Sequence, residues 1–552
     1  MRKIKLFILV VFFYCNCAKS QNFSLNYVFE GKNDKKSTFK SYENLIIGIE
    51  DSINSLIEDG YIDASVKKLI KTDSFDYQIE LNRGVKLQYI KILNIEEQDS
   101  QIQSILNAKN RKGLIKFEQF PDLINSCTKF LSNLGYPFSK VKLEKIKKID
   151  SISVSAYLST RLGKKREINK VVVKGYENFP KKFIKNLLGL RKNAVLKIDE
   201  LKNRMNSLNR INFAKSIKDP EILFTNDSTK VYLFLEKIKK NTFDGFIGFN
   251  TDESNGKLKI QGNAKINLSN TFNQGESIKL DFLSEDDQER FLTSDVKIPY
   301  VFNSPFDVST GIKLIQKDSI YNSREFFGEL EITNKNFTGG AGVELTESSN
   351  EIPSSNVKTF KRNLYTVSVN YVLSDFSEPN RKEKMKIFLK YGSGHKTQSN
   401  IKSRANKIMI EIQRNFNISK KMKFNSKILR EKISSENIVT NELLRFGGIK
   451  SIRGFDENSI FTNEYTLLNT NLNFYINDTI YIYTLFDLAN YRNNIFELNE
   501  DIYAGGFGFS TTTQNGIISV NYAKGNQWGK KFSLKNAKLS VSFISYFWLS
   551  TG

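Results

Sequence analysis

Histidine is almost absent from this chain: His395 is the only one in 552 residues. With one imidazole, Ser-His-Asp, Cys-His and histidine-metal arrangements are hard to assemble. His395 itself lies in YGSGHKTQSN, which reads as a solvated loop. There is no G-x-S-x-G elbow, no Walker loop and no G-x-G-x-x-G that opens a helix. GGFGFS (505–510) lies within a β-pattern and lacks a lysine, so it reads as a strand with a bulge. No catalytic residue, metal site or cofactor is expected, and the chain reads as a non-enzyme. Cysteine is scarce too. Cys15 and Cys17 fall in the first twenty residues, which leaves Cys127 on the apolar face of a helix, as a small core hydrophobe with no disulfide partner. No proline follows Pro379, as expected where backbone N–H groups must donate to a ladder. Long apolar runs are missing, so no bundle of transmembrane helices is expected. The one short run, at the start, has Arg2, Lys3 and Lys5 before Leu6–Tyr14 and Ala18-Lys19-Ser20, the pattern of a secretory signal peptide over residues 1–20.

What is abundant is positive charge and β-alternation. The formal charge of +24 calls for an anionic neighbour. An exported protein seldom meets nucleic acid, so no nucleic-acid partner is expected; outer-membrane lipid and lipopolysaccharide head groups are the natural partners.

Residues 22 to 240 carry a periodic unit. ENLIIGIEDSINSLIEDGY places Leu45, Ile49, Ile53, Leu56 and Ile57 at helical spacing, and FPDLINSCTKFLSNLGYPF repeats the stripe with Leu123, Ile124, Cys127, Leu131 and Leu134. Each ends on Gly-Tyr and is followed by short alternating strands. A third unit begins at INKVVVKGYENFP and closes with KVYLFLE. A repeat of strand, two helices and strand hairpin implies tandem α+β modules. Here the sequence resembles the POTRA repeats of the outer-membrane assembly superfamily typified by BamA and TamA, most closely in VVVKGYENFPKKFIKNLLGLRKNAVLKIDELKNRMNSLNRINF. The resemblance implies modules at 21–85, 86–164 and 165–240, each able to receive an extended client strand on a sheet edge. Three repeats are nearer the TamA layout than that of BamA.

From about residue 241 the period becomes two. KLKIQGNAKINL sets Leu258, Ile260, Ala264, Ile266 and Leu268 on one face, and the pattern returns in YTVSVNYVL, KIMIEIQ, TLLNTNLNFYI, GIISVNYA and AKLSVSF. A soluble sandwich and a membrane barrel both give this pattern. The export signal, the missing disulfides, an aromatic content of 12% and the near absence of helix favour an outer-membrane barrel with a polar lumen over 241–552. That length holds about sixteen antiparallel strands. NLSNTFNQGESIKLDF, VKIPYVFNSPF and FGFSTTTQNGIISVNYAKG resemble successive barrel segments of the same superfamily.

The resemblance also implies a site. In the superfamily an R-G-F or R-G-Y tripeptide sits on a loop folded back into the lumen, its arginine held by an acidic residue of a neighbouring strand. Here Gly447-Gly448 precede Arg453-Gly454-Phe455, and TLFDLAN supplies Asp487, with Leu485 where relatives have an aromatic and Ala489 where they have glycine. LNTNLNF has Asn471 and Asn473 where relatives often carry charges. A guanidinium buried in a barrel requires a carboxylate, and a bidentate pair fixes a loop better than a lysine does. A second expected site is a weak lateral seam between the first strand (Phe243, Gly245, Phe246, Gly248) and the last (Leu539, Val541, Phe543).

The expected function is assembly, insertion or translocation. Unfolded outer-membrane or secreted client proteins would be received on periplasmic modules and passed through the seam, with a lipoprotein or inner-membrane protein as a further partner. A two-partner secretion transporter with one dedicated substrate is the alternative; it would carry an N-terminal plug helix, and residues 21 to 40 show no helical stripe. A passive porin or receptor has no use for the modules.

Overall fold

In a computed structural model, the described residues are 22–29, 32–108, 114–238, 240–251, 258–285, 289–317, 320–350, 357–374, 383–449, 451–513, 515–531 and 537–547. The expected signal peptide lies outside them. The chain divides into two compact units, residues up to Glu167 with Val195–Glu200, and Ile168–Ala194 with Leu201 onward.

The first unit holds two small modules. In the first, strands β1 (Phe23–Phe29), β2 (Lys32–Phe39), β3 (Ser65–Lys71) and β4 (Asp76–Asn82) form a sheet in the order β2-β1-β4-β3. Helix α1 (Tyr42–Glu58) covers it; the side chain of Ser41 caps the N-terminus by accepting from the Asn44 amide, and Gly60 ends it at φ +103°, where a Cβ would be strained. Leu45 and Ile49 pack on Leu25, Tyr27, Ile79 and Leu81. This module has one helix, not the two expected of the repeat. FSLNYVF alternates with period two and turns back on KNDKKSTF as a hairpin, and period outweighs position in the repeat. The second module follows the expected plan more closely. Strands β5 (Tyr89–Ile92), β6 (Ile115–Lys116), β7 (Lys140–Lys148) and β8 (Ser153–Arg161) are ordered β6-β5-β8-β7, with helices α2 (Ser100–Asn107) and α3 (Phe120–Asn133). Cys127 is fully buried in its core beside Leu123 and Leu131, and burial pushes the thiol pKa up.

The second unit contains a smaller module and the barrel. Strands β9 (Lys170–Lys174), β10 (Ala214–Phe224) and β11 (Thr229–Lys237) make a sheet in the order β10-β11-β9, with helix α4 (Lys181–Asn186) and, from Leu201 onward, helix α5 (Ile198–Met205). Pro220 sits in β10, which tolerates it because β10 is an edge strand with an irregular register there. This module grips the barrel's first two turns on that side. The Tyr176 hydroxyl donates to Asn273 Oδ1 at 3.0 Å and accepts from Asn270 Nδ2 at 2.6 Å. Lys182 Nζ donates to the Pro299 carbonyl at 2.6 Å, and the Phe183 ring stands edge-on to Tyr300 at 5.0 Å. Burial and the Glu276 carboxylate push the Tyr176 pKa up to about 12, so the phenol keeps the proton it donates. Tyr176→Phe removes both bonds and leaves the buried Asn270 amide unpaired, a loss of about 1–3 kcal/mol. Hydrogen exchange of the 270–276 turn should accelerate while that of the barrel strands does not.

The barrel closes with sixteen antiparallel strands between Asn241 and Phe547. Alternation decides which face is which. On the strand Tyr321–Asn334, Phe326, Leu330 and Ile332 are exposed on the outer wall, while Glu329 accepts from Lys390 across the lumen wall at 3.1 Å. On Phe360–Ser374, Tyr365, Val367 and Val369 face out. An apolar outer wall with charged residues inside is the reverse of a soluble sandwich and suits hydrocarbon. Two expected details differ. His395 lies in the strand Glu383–Gln398, paired with Asn363 and Arg404, because Gly392 and Gly394 are close-packing positions rather than turn residues; a Cβ on Gly394 would lie 2.0 Å from the Asn363 carbonyl oxygen. GGFGFS runs through the strand Leu498–Thr512 in unbroken register, without a bulge.

Candidate functional site: the in-folded loop and the barrel seam

Between the strands Met422–Ser435 and Glu464–Tyr475 the chain enters the lumen. Its glycines allow the path. Gly447 and Gly448 have φ of +125° and +90°, and a Cβ on Gly447 would lie 2.4 Å from the Asp456 carbonyl oxygen. The stretch between carries Arg453 to Asp487. Nε of Arg453 donates to Asp487 Oδ2 at 2.8 Å, a second guanidinium N–H donates to Oδ1, and the Arg453 backbone N–H reaches Oδ2 at 3.0 Å. Asp487 is fully buried and Arg453 is 9% exposed. The remaining donors reach Asn471 Oδ1 at 2.6 Å and the Thr470 carbonyl at 3.3 Å. Asn471, in the position where a charge is common, thus contributes a neutral acceptor, which suits a guanidinium already neutralised by Asp487. Leu485 and Ala489 flank Asp487 on the inward face, and both are buried. Phe455 lies against Gly525 of the facing strand: a Cβ there would come 2.3 Å from its ring. Gly454, at φ +83°, is equally tight, its own Cβ 2.4 Å from the Gly525 nitrogen. Gly454→Ala should therefore lower the thermal midpoint of the folded, heat-modifiable form on a gel by several degrees, whereas Ala at Gly529, with open space around it, should lower it less.

The loop has two further anchors that no local motif announces. Glu442, 5% exposed, accepts from Lys396 Nζ at 2.8 Å and from Ser435 Oγ at 2.8 Å, with Arg362 at 3.6 Å. Arg445 donates to Glu289 Oε2 at 2.7 Å and to the Tyr321 hydroxyl, its guanidinium 4.3 Å from the centre of the Phe461 ring. Leu444–Phe446 pairs with Ile460–Thr462, so the loop leaves and returns as a short antiparallel arm. Phe446 stacks on Tyr465 at 4.5 Å, and Ile452, Leu467, Ala489 and Ala504 close a core beneath it. The lumen is therefore not polar throughout, as expected from the alternation. The wall under the loop is apolar because the loop, not water, covers it.

The seam is short. The first strand, Asn241–Thr251, pairs with the last, Lys538–Phe547, only from Asn241↔Phe547 to Asp244↔Ile544. Its other edge pairs with Leu258–Ser269 along its whole length. Gly245 follows the last seam pair at φ +133°, and a Cβ there would lie 2.1 Å from the Asn263 carbonyl oxygen. Of the expected seam residues, Phe243 is paired across the gap with Ser545. Gly245, Phe246 and Gly248 lie beyond the pairing, as do Leu539, Val541 and Phe543, which pair only with Tyr522, Val520 and Ile518 on their other side. Leu539, Val541 and Phe543 are exposed at 68%, 66% and 52%.

Comparison with known structures places this architecture. CdiB from Escherichia coli matches with a TM-score of 0.54 and 11% identity over 92% of this chain and 98% of that one. CdiB from Acinetobacter baumannii matches at 0.51 and 12%, over 91% and 97%. The likeness is one of fold. BamA from Haemophilus ducreyi lacking POTRA domains 1–3 also aligns, at 0.48 and 13%, over 84% and 99%. No family model and no curated protein matches the chain. The CdiB fold thus extends over nearly all of this chain. Within it, Arg453 and Asp487 were accessible to sequence reasoning because a tripeptide and a strand carry them. Glu442, Arg445 and Gly525 were not: Glu442 and Arg445 lie on the loop, in a single turn and a three-residue strand with no period to read, and no local motif singles out Gly525.

Proposed function

We propose that the chain is an outer-membrane factor that passes unfolded polypeptide into or across the membrane, its modules receiving client strands in the periplasm and its barrel admitting them at the seam. One observation carries this reading. The barrel is tied along every other strand pair by a longer ladder but closed by a seam that stops at Asp244 and Ile544, leaving apolar edge residues beside the gap. An unpaired strand edge next to lipid is a template for an incoming strand. The apolar outer wall supports the membrane location. The loop anchored across the lumen at Glu442, Arg445 and Arg453 disfavours a passive porin. Between insertion and export of one dedicated substrate, insertion is the better reading, since Phe23–Phe29 and Lys32–Phe39 are strands of a module rather than a plug helix. The test is depletion followed by quantitative comparison of outer-membrane proteins, with a photo-crosslinker at Val541. Broad loss of barrel proteins and crosslinks to nascent barrels are expected. Loss of a single exported protein would replace insertion by dedicated export, and no loss of any would end the proposal.

A further inference from the structure

The end of the barrel away from the third module carries a charge cluster on its outside. Hairpins alternate around the ring, so the turns at 270–276 and 299–303, which the third module grips, share one end with the turns at 418–421 and 476–479. At the opposite end the in-folded loop leaves and rejoins the wall. There the register sets Lys432 beside Glu464 and Glu464 beside Arg492. Arg430, Thr466 and Asn490 form the next row toward the middle of the wall. Even-numbered positions on these three strands point outward: Ile428 and Phe486 are exposed, while Leu429, Leu467 and Asp487 are buried.

All three cations converge on one carboxylate. Lys432 Nζ lies 3.0 Å from Glu464, Arg430 Nη2 3.4 Å and Arg492 Nη1 3.9 Å; Arg430 also donates to Thr466 Oγ1 at 3.3 Å. Glu464 is 19% exposed and the cations about half exposed, so the carboxylate sits beneath and N–H groups remain outward. Asp501, the outward carboxylate of the neighbouring strand, accepts instead from the Asn490 amide at 2.8 Å. Three positive charges around one negative leave a surplus of two. Glu464 gathers the cations against their mutual repulsion and leaves part of their charge for another anion.

The position of the cluster narrows the choice of anion. Toward the middle of the wall the outward residues become Ile428, Leu468, Leu488 and Phe486, a surface for hydrocarbon. The cluster therefore stands where acyl chains give way to headgroups, and basic side chains there are favoured by anionic lipid. Two guanidinium forks and an ammonium suit phosphate oxygens. A surplus of two matches a phosphate monoester, which carries about −1.5 to −2 near neutral pH, better than a singly charged phosphodiester. We infer that Arg430, Lys432 and Arg492 bind the phosphate monoester of an acylated lipid headgroup in the surrounding leaflet, with its chains on the apolar wall beside them. That this leaflet is the outer one rests on the reading that the modules are periplasmic.

The full chain in phosphatidylcholine nanodiscs tests this, with fluorescently labelled lipid A, a diphosphorylated and acylated glucosamine disaccharide, as the probe. Unlabelled lipid A should displace the probe about tenfold better than its dephosphorylated form, with phosphatidylglycerol between them. Arg430→Gln/Lys432→Gln/Arg492→Gln should lose about tenfold in affinity, with heat-modifiable mobility as the folding control. Lys432→Gln alone should lose about threefold, which keeps the test readable if the triple variant fails to fold. Lys361→Gln removes another outward cation at the same end, one that pairs with Glu347 at 2.7 Å, and should change nothing. Equal displacement by dephosphorylated lipid A, full affinity in the triple variant, or equal losses in Lys361→Gln and Lys432→Gln would overturn the inference. Phosphatidylglycerol as effective as lipid A would overturn the monoester assignment, and inorganic phosphate as effective would make the ligand a free ion. A cysteine probe separates the two readings. Glu436→Cys, exposed at that end, should react with a membrane-impermeant maleimide on intact cells. Without labelling, the periplasmic reading of the modules fails and the phosphate dependence stands; labelling with equal displacement by dephosphorylated lipid A fails the site alone.

Discussion

Arg453→Ala should loosen the in-folded loop from the barrel wall and cost about 3–5 kcal/mol, because the Asp487 carboxyl would be left fully buried without the guanidinium that pairs with it. Three interactions go at once: the bidentate pair with Asp487, the bond to Asn471 and the bond to the Thr470 carbonyl. The loop would then be held by Glu442 and Arg445, by the backbone N–H at position 453, by the Asn469 bond to the Ser451 carbonyl and by its apolar contacts. The expected result is a lowered midpoint of the heat-modifiable form and protease cleavage within 447–459, together with loss of complementation in a depleted strain. Arg453→Lys should recover only part of this. One ammonium cannot span both Asp487 oxygens and Asn471 Oδ1 in the geometry the guanidinium fork provides. Coupling is the stricter measure. Asp487→Asn removes the carboxyl that Arg453→Ala strands, so the double variant should be less destabilised than the sum of the singles, by about 1–3 kcal/mol. Strict additivity, or a wild-type midpoint for Arg453→Ala, would sink the lock.

Joining the seam should abolish function without harming the fold. Thr242 and Tyr546 are register partners across it. Facing residues on antiparallel strands have Cα atoms about 4.5–5.5 Å apart, within disulfide reach. Thr242→Cys/Tyr546→Cys, oxidised, should reduce outer-membrane protein levels to those of a depleted strain, and a reductant should restore them. The matching control is Ser519→Cys/Ser542→Cys, which joins the last strand to its other neighbour inside an intact ladder and should leave function unchanged. Cys127 is buried in its module core and does not compete. If the oxidised seam supports normal levels, clients do not pass there, and the short pairing is a structural detail.

Much of the architecture could be read from one dimension, for a definite reason. Side-chain direction repeats every two residues on a strand and every 3.6 on a helix, so the sequence around Leu45, Leu123 or Val367 states its own secondary structure and apolar face. Composition then separated the barrel from the modules, and length gave its approximate strand number, sixteen in the structure. Where two periods competed the sequence misled: β1 and β2 alternate too well to be the helix that the repeat called for, and Gly392 and Gly394 resemble a loop while serving as contact points between strands.

The site divides along the same line. A tripeptide on a glycine-softened loop and an aspartate on a later strand name Arg453 and Asp487, because that arginine has to find a carboxylate wherever it is buried. Nothing local pairs Arg445 with Glu289, 156 residues away, or Glu442 with Lys396. Nor does any local feature say that Leu485 and Ala489 complete an apolar floor, or that seam pairing stops at Asp244. By itself the sequence determined the elements, their faces and the arginine that must be neutralised. Only the tertiary structure decided which wall each loop residue meets and how far the first and last strands join. Those contacts depend on the register of all sixteen strands around a closed ring, and a closed ring has no expression in the local pattern of any one of them.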